Sequence, residues 1–398
     1  MNPSILHKEV QKFINDNLKS DITKLILKGS PFDDISVQEL ANQVIAKQKS
    51  IGKLPTWFAT EYIYYPPKIS IEQTSSEITA KYKSSLISGD KIIDITGGFG
   101  IDCFYFSKHF KEVTHCEINE ELSTIVKHNY QQLNTENITT FSRNGLDYLK
   151  NNDDVFDVIY VDPSRRNNEK GKVFLFKDCL PYVPPKIDFF FTKAKHILIK
   201  VSPILDIKNT IKDLKNVKEV HIVAINNEVK ELLFLLEKDY VKEIKIKTIN
   251  FAKKHNQEFE FIFDSIAEST YSEPLTYLYE PNAAILKSGG FHQISNQLEV
   301  FKLHQHSHLY TSNQLIDFPG RRFKIEHVLN YDKKKLKKLL PSKKANITSR
   351  NFPKTVAQFR KETKINDGGN VFIFLTTDLN NNHKLVICKK VNINLSYL

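Results

Sequence analysis

The sequence has 398 residues, of which 40% are hydrophobic and 26% charged, so it can bury a substantial core across two or three domains. No apolar run approaches the roughly 18 residues of a membrane helix, which predicts no membrane partner. Lys8 and Glu9 stand where a secretory signal would be apolar, so the expected location is cytoplasmic. The four cysteines form no CxxC pair, so the sequence indicates neither a disulfide framework nor a thiolate zinc site.

The formal net charge of +11 is concentrated at the C-terminal end. Residues 319–398 contain 18 Lys and Arg against 5 Asp and Glu, a net charge of +13, which leaves −2 for residues 1–318. This segregation favours a basic module that binds nucleic acid, and a merely solvated surface is the alternative. The first candidates for phosphate contacts are Arg321, Arg322, Lys333, Lys334, Lys335, Lys337 and Lys338.

Residues 1–70 are predicted to form an N-terminal helical domain and a connector. Apolar residues recur every three or four positions over the first 50 residues, as in amphipathic helices. The aromatic, proline-bounded segment 53–67 predicts an irregular connector that packs against another part of the protein.

Residues 71–270 predict an α/β domain with a Rossmann-like, doubly wound sheet, because short β-branched runs alternate with amphipathic stretches. The predicted strands are 91–96, 113–117, 138–142, 155–161, 197–201 and 220–225. The helices stop after Ile225. Three further segments are therefore predicted to end the sheet as successive antiparallel strands: 230–237, 244–251 and 258–263.

Two small C-terminal domains follow in the prediction, an α+β domain at 271–318 and the basic domain at 319–398. Turns are expected at Glu280-Pro281 and Gly289-Gly290. His304, His306 and His308 would share one face of an extended strand. No carboxylate or cysteine accompanies them, so we predict no metal site.

The strongest functional signal lies in residues 91–110, where a buried strand ends at Asp94 and a glycine turn precedes a helix. Gly97, Gly98 and Gly100 allow the backbone to approach a ligand closely, and the helix start offers unpaired amide groups. The pattern predicts a nucleotide-type pocket at the carboxyl edge of the sheet.

Two classes of cofactor compete for this pocket. A nicotinamide fingerprint needs a small residue where Cys103 stands, and it does not require the acid at Asp94. S-adenosylmethionine carries a sulfonium and an ammonium, which gives the Asp94 carboxylate an electrostatic role. Glu117, at the end of the second strand, is placed to accept hydrogen bonds from ribose hydroxyls in either class. S-adenosylmethionine is therefore the predicted cofactor.

The third and fourth strands end in two further polar signals. Asn144 either contacts adenine or only forms an Asn-Gly turn. Asp162 and the rigid Pro163 are expected to face the crevice beside the transferable methyl group. Arg165 and Arg166 could clamp a phosphate or carboxylate, and a solvated loop is the alternative.

Several separate stretches resemble a bacterial class I S-adenosylmethionine-dependent methyltransferase family with a ferredoxin-like insert and a THUMP-like C-terminal domain. They are IEQTSSEITAKYK (71–83), DITGGFGID (94–102), DPSRR (162–166), KVSPILD (200–206) and NNEVKELL (226–233). YEPNAAILKSGGF (279–291) and HSHLYTS (306–312) resemble the insert. The resemblance implies a methyltransferase, with RNA as the expected partner of residues 319–398.

The resemblance also implies roles for individual residues. The methionine part of the cofactor would lie on the loop from Asp94 to Gly100, with the ribose at Glu117 and the adenine at Asn144. The residues of that loop singled out are Asp94, Thr96, Gly97, Gly98 and Gly100. Those facing the methyl acceptor are Asp162, Pro163, Ser164, Arg165 and Arg166. A flap over the cofactor would be formed by Gln73, Ser75, Ser76 and Thr79, although either serine could instead be a helix N-cap before Glu77.

The acceptor remains open in the sequence. Methylases of exocyclic base nitrogens carry an aromatic residue where Arg165 stands, which argues against that chemistry. No cysteine flanks the tip, which argues against cysteine-based carbon methylation. RNA methylation is the leading hypothesis. The alternatives are a protein or small-molecule acceptor, and an RNA-binding protein that holds the cofactor without turnover.

Overall fold

The computed structural model describes residues 1–66, 68–165 and 175–391. Its contacts divide the chain into two compact units. One consists of Met1–Lys218 with Phe234–Val241, and the other of Glu219–Leu233 with Lys242–Leu398. Within the described residues, no helix is long and apolar enough to span a bilayer.

The N-terminal part is helical, as the sequence predicts. Its helices are α1 (Lys8–Asp16), α2 (Ile22–Lys28), α3 (Val37–Lys53), α4 (Pro55–Ala59), α5 (Lys68–Gln73) and α6 (Glu77–Ser85). The prediction of an irregular connector is wrong for α4, because Pro55 is preorganised for the first helical position. This helix buries Trp57, whose ring centroid lies 4.8 Å from that of Phe104.

The first sheet has the predicted alternation of strands and helices. Its strands, and the short ribbon β5–β6, are β1 (Lys91–Asp94), β2 (Glu112–Glu117), β3 (Ile138–Ser142), β4 (Phe156–Val161), β5 (Ser164–Arg165), β6 (Cys179–Leu180), β7 (Ala194–Val201), β8 (Val217–Ile225), β9 (Glu228–Glu237), β10 (Lys245–Phe251) and β11 (Gln257–Ile262). The helices between them are α7 (Ile101–Phe106), α8 (Glu120–Gln132), α9 (Gly145–Lys150), α10 (Ile187–Lys193) and α11 (Ile207–Asp213). The strand order is β11-β10-β8-β9-β7-β4-β1-β2-β3, with parallel pairing from β7 to β3. The predicted doubly wound, Rossmann-like sheet is confirmed.

The end of this sheet differs from the predicted run of antiparallel strands. Asn226 and Asn227 both have positive φ (49° and 66°), which suits the tight turn between β8 and β9. β10, however, pairs in parallel with β8, and only then does β11 pair antiparallel with β10. The prediction is wrong for β10 because β9 already has neighbours on both edges, so the next strand extends the free edge of β8.

The second sheet contains strands from both predicted C-terminal domains. Its elements are β12 (Tyr277–Pro281), α12 (Ala283–Ser288), α13 (Phe291–Gln297), β13 (Phe301–Lys302), β14 (Tyr310–Ser312), β15 (Gly320–Asn330), α14 (Lys333–Leu339), β16 (Asn346–Ser349), α15 (Val356–Thr363), β17 (Val371–Thr377) and β18 (His383–Lys390). The strand order is β13-β14-β12-β15-β18-β17-β16, in which β12 pairs antiparallel with β15. The predicted small α+β structures are therefore present, and they share one sheet.

Two local predictions in this region are wrong. Glu280 and Pro281 end β12 instead of forming a turn, because the chain turns at Asn282, which caps α12. Residues 304–308 form a turn between β13 and β14, so the three histidines do not share a strand face. In the described part of the chain, no group of three or more His, Cys, Asp and Glu side chains could hold a metal ion.

Candidate active site

The predicted methionine-binding loop begins where β1 ends at the carboxyl edge of the sheet. Asp94 is buried and accepts hydrogen bonds from the amide and hydroxyl of Thr96, at 2.8 and 3.0 Å. The Thr96 hydroxyl oxygen also accepts the amide of Asp162, at 2.8 Å. Thr96 therefore connects the loop after β1 to the tip of β4.

The three glycines of the loop have different roles. A Cβ at Gly97 would collide with the imidazole of His115, and one at Gly100 (φ +76°) would collide with the hydroxyl of Tyr130. Gly98 also has positive φ (+56°), but its nearest obstacle is a backbone oxygen 3.8 Å away. Packing therefore requires glycine at positions 97 and 100. At Gly98, by contrast, the space around the Cβ position is open.

The carboxylate of Glu117, at the end of β2, is fixed by two backbone amides, one of which belongs to the glycine loop. Its Oε2 accepts the amide of Gly98 at 2.9 Å, and its Oε1 accepts the amide of Asn119 at 2.8 Å. A carboxylate oxygen can accept more than one hydrogen bond, so both oxygens retain capacity for hydroxyl donors. The predicted ribose contact is compatible with this arrangement.

Asn144 is the N-cap of α9, where its side-chain oxygen accepts the amide of Leu146 at 2.9 Å. The following Gly145 is required because a Cβ there would collide with the backbone of Ile95. Among the described residues, no hydrogen bond involves the Asn144 side-chain amide nitrogen. The side-chain oxygen of Asn144 therefore caps α9, and the contact of its side chain with adenine stays a prediction.

The predicted flap residues divide between two structural roles. Ser76 is the N-cap of α6 and accepts the amide of Thr79 at 3.3 Å, which confirms the capping alternative. Ser75 instead donates to Asp102 Oδ2 at 2.8 Å. Gln73 is exposed at the end of α5. Their contact with the cofactor stays a prediction.

Asp102 is the centre of a buried polar network that sequence reasoning missed. Tyr160 donates to its Oδ2 at 2.9 Å, and the ammonium of the fully buried Lys83 lies 3.2 Å from its Oδ1. Burial alone would raise the pKa of Asp102, but the charges of Lys83 and Lys200 hold it below the usual value. The sequence signal for this network is that Asp102 is the single charged residue in the apolar stretch IDCFYF of α7.

A second missed residue, Lys200, lies beside the tip of β4. Val161 and Ile199 are register partners on parallel strands, so the next residues, Asp162 and Lys200, meet and form an ion pair. The lysine that interrupts the apolar strand β7 was the available signal. Pro163 is buried at this tip.

The remaining predicted residues of the tip lead away from β4. Ser164 is exposed and pairs with Leu180 in the β5–β6 ribbon. The side chain of Arg165 and the whole of Arg166 lie outside the described residues. Their predicted roles toward the acceptor therefore stay predictions.

Acidic groups outnumber basic ones around this pocket. Burial, together with the charges of Asp102 and Asp162, raises the pKa of Asp94 to about 7 against the hydrogen bonds from Thr96. Glu117 adds a fourth carboxylate to these three aspartates. A cationic ligand complements this set, and the sulfonium and ammonium of S-adenosylmethionine fit it.

Three family models match successive parts of the chain. A model described as conserved hypothetical protein 95, which represents a methyltransferase family, matches residues 69–175. A ferredoxin-like domain matches residues 277–319, and a THUMP domain-like model matches residues 320–390. No curated protein matches the chain in sequence.

The chain is also similar to solved structures. A candidate methyltransferase from Porphyromonas gingivalis W83 is 29% identical, with a TM-score of 0.87 over 98% of both chains. An rRNA methylase from Streptococcus thermophilus (13% identity, TM-score 0.30) covers 40% of this chain and 94% of its own. A candidate methyltransferase from Streptococcus mutans in complex with SAH (16% identity, TM-score 0.30) covers 40% and 96%.

The three matches follow the order in which the resemblance places its domains. The similarity to the Porphyromonas gingivalis protein extends over nearly the whole chain. The chain therefore has a methyltransferase fold followed by a ferredoxin-like and a THUMP-like part, and it is similar to S-adenosylmethionine-dependent methyltransferases with that order of domains.

Proposed function

We propose that this methyltransferase modifies RNA in the cytoplasm and that residues 319–398 bind the RNA. The observation that carries the proposal is the net charge of +13 in these residues, which coincide with the THUMP domain-like match. Clustered cations bind nucleic acid by neutralising its phosphates. The family models and the charge therefore point to the same partner.

Some cations of this region form ion pairs within the protein, whereas others have no charged partner among the described residues. Arg321, Arg322 and Lys333 form ion pairs with Glu280, Asp317 and Glu362, respectively. Nine other lysines of residues 319–391 are exposed, and no ion pair involves them among the described residues: Lys324, Lys334, Lys335, Lys338, Lys343, Lys344, Lys361, Lys364 and Lys390. Lys334 and Lys338 are four residues apart on α14 and share a face. Lys334, Lys335 and Lys338, termed the α14 lysines, are therefore the first candidates for phosphate contacts in place of Arg322 and Lys333. The side chain of Lys337 lies outside the described residues.

The chemistry that we propose depends mainly on positioning. S-adenosylmethionine supplies the electrophilic methyl group. Asp162 is fixed through its amide by Thr96 and through its carboxylate by Lys200, so it can accept a hydrogen bond from the attacking group of the acceptor. Holding that group in line with the methyl carbon lowers the entropic part of the barrier.

The proposal is tested by deleting the gene and comparing total RNA nucleosides by mass spectrometry. We expect one methylated nucleoside to disappear and to return when the purified enzyme and S-adenosylmethionine are added to RNA from the deletion strain. Complementation with an Asp162→Asn variant controls for indirect effects. An unchanged set of nucleosides, together with methyl transfer to protein or to small molecules in the same extract, would favour the alternative acceptors.

Affinity for S-adenosylmethionine is expected to rise with pH. The pKa of Asp94 is about 7 in the free protein, so below pH 7 binding of the cationic cofactor must expel a proton. The affinity should fall by up to about tenfold for each pH unit below 7 and should level off above pH 8. Calorimetry between pH 6 and 8 measures this dependence.

The control for this prediction is Asp94→Asn, which cannot titrate and should bind weakly with a flat pH profile. Calorimetry in buffers of different ionisation enthalpy should also detect proton release by the unaltered enzyme at pH 6. A flat profile in the unaltered enzyme would show that Asp94 is ionised throughout this range.

RNA affinity is expected to depend on the α14 lysines through their charge. Substitution of Lys334, Lys335 and Lys338 by Gln should weaken binding of a mixed-sequence single-stranded RNA. It should also reduce the log-log salt slope by about 0.7 for each phosphate that the protein no longer neutralises. Fluorescence anisotropy over a range of salt concentrations measures both quantities.

The matched control substitutes Lys19, Lys24 and Lys28, which are exposed lysines of the other compact unit, by Gln. Deletion of residues 319–398 is unsuitable as a test, because β15 pairs with β12 and its removal would open the second sheet. If both triple variants and the unaltered enzyme have the same salt slope, the α14 lysines do not contact RNA phosphates and form only a solvated surface.

A further inference from the structure

Two arginine side chains converge on one buried carboxylate in the second sheet. Glu280 on β12 has a side chain that is only 5% exposed. Arg321, its register partner on β15, donates from Nε to Oε2 at 2.5 Å. Arg350, which follows β16, donates from Nε and Nη2 to Oε1 at 3.2 and 3.0 Å. Each carboxylate oxygen therefore binds a different guanidinium.

Further contacts fix both guanidinium groups. The guanidinium carbon of Arg321 lies 5.5 Å from the ring centroid of Phe323 and 5.9 Å from that of Phe374. Its Nη2 donates to the hydroxyl of Thr348 at 3.2 Å. The backbone amide of Arg350 continues the pairing of β16 with β17. Little conformational freedom remains for a ligand to remove.

The cluster carries more positive charge than its structural role requires. One guanidinium neutralises Glu280, so the second leaves a net charge of +1. The side chains of Arg321 and Arg350 are 37% and 32% exposed, and among the described residues no hydrogen bond involves either Nη1. Both guanidiniums therefore retain N–H donors that no described residue accepts, on side chains that are partly accessible.

The surroundings are electropositive as well. Burial, and then the charges of Lys302 and Arg350, lower the pKa of His308 to about 4. His306 lies on the same turn and is exposed. The positive potential near this turn therefore comes from Lys302 and Arg350, while the His308 imidazole is neutral.

We propose that Arg321 and Arg350 form a phosphate-binding site that holds one backbone phosphate of the RNA substrate. A phosphate presents several oxygens at the spacing of the guanidinium fork, which an ammonium does not match. Glu280 acts as the positioning residue, because it orients both guanidiniums before the ligand arrives. The assignment to RNA rests on the proposed function, whereas the phosphate site itself does not.

The first test uses the full-length protein and inorganic phosphate. Titration with phosphate should shift the arginine Nε–Hε NMR signals of Arg321 and Arg350 in a saturable way, while chloride at equal ionic strength should not. Spectra of Arg321→Gln and Arg350→Gln identify the two signals. An absence of saturable shifts at high millimolar phosphate would overturn the proposal.

The second test measures binding of a mixed-sequence single-stranded RNA by anisotropy. Arg321→Gln and Arg350→Gln should each lower affinity about tenfold, as expected for loss of hydrogen bonds to a charged group. Arg350→Lys keeps the charge and should lie between Arg350→Gln and the unaltered protein. Lys254→Gln, an exposed lysine of the same compact unit, should have no effect.

The outcomes separate this proposal from the proposed function. Unchanged RNA affinity in folded Arg321→Gln and Arg350→Gln variants would overturn the site as an RNA contact, even if the α14 lysines matter. Phosphate shifts without any RNA binding by the unaltered protein would support the site and contradict RNA as the partner. If thermal unfolding shows that Arg350→Gln does not fold, Arg350→Lys decides the test.

Discussion

Gly98→Val is expected to abolish binding of S-adenosylmethionine, with more than about a hundredfold loss of affinity. The position has φ +56°, which costs a non-glycine residue about 1–2 kcal/mol, and the branched side chain would fill the open space above the loop. Glu117→Ala should have a smaller effect, about 1–3 kcal/mol, from unsatisfied ribose hydroxyls. Calorimetry measures both losses.

Gly29→Val is the matched control for backbone strain. Gly29 has φ +78° with nothing close to its Cβ position, and it ends α2. The variant should lose stability to a similar extent and should bind the cofactor normally. Normal affinity of Gly98→Val for the cofactor would show that the glycine turn is not part of the cofactor site.

Asp162→Asn is expected to lower methyl transfer about a hundredfold or more, which is a far larger loss than its effect on cofactor affinity. The carboxylate lies at the tip of β4, and its amide is already used by Thr96. Lys200→Met should lower transfer by a comparable factor, because it releases the carboxylate from its fixed position. Single-turnover transfer to RNA from the deletion strain separates the chemical step from binding.

The double variant tests whether the two residues act as one unit. Asp162→Asn with Lys200→Met should be no slower than the worse single variant. Lys200→Arg should restore part of the rate, because it retains the cation. Lys215→Met, which removes the exposed ion pair with Asp188, is the control and should be fully active. Additive losses would show that Lys200 acts independently of Asp162.

The fold of the methyltransferase part could largely be predicted, because its signals are local. The third strand was predicted over the residues that form it, 138–142, and Asp94 ends β1 directly before the glycine turn. The placement of β10 could not be predicted, since its pairing with β8 depends on which sheet edge remains free after β9. Hydrophobic patterns report burial and carry little information about strand neighbours.

The candidate site was predictable to a similar degree. Residues at the ends of parallel strands meet at one edge, so Asp94, Glu117 and Asp162 could be proposed together. The roles of Lys200 and Asp102 could not be predicted, because they arise from contacts with residues that are remote in sequence. Lys200 is 38 residues from Asp162, and Asp102 is 58 residues from Tyr160.

The sequence by itself determined the alternation of strands and helices, the glycine turn after Asp94 and the concentration of positive charge in residues 319–398. These features depend on periodicity, backbone stereochemistry and composition, which act within a few residues. Only the tertiary structure decided which charges are paired: Lys200 with Asp162, and Arg321 and Arg350 with Glu280, while the α14 lysines are exposed. An ion pair forms where strand register brings two side chains together, and register is set by the assembled sheet.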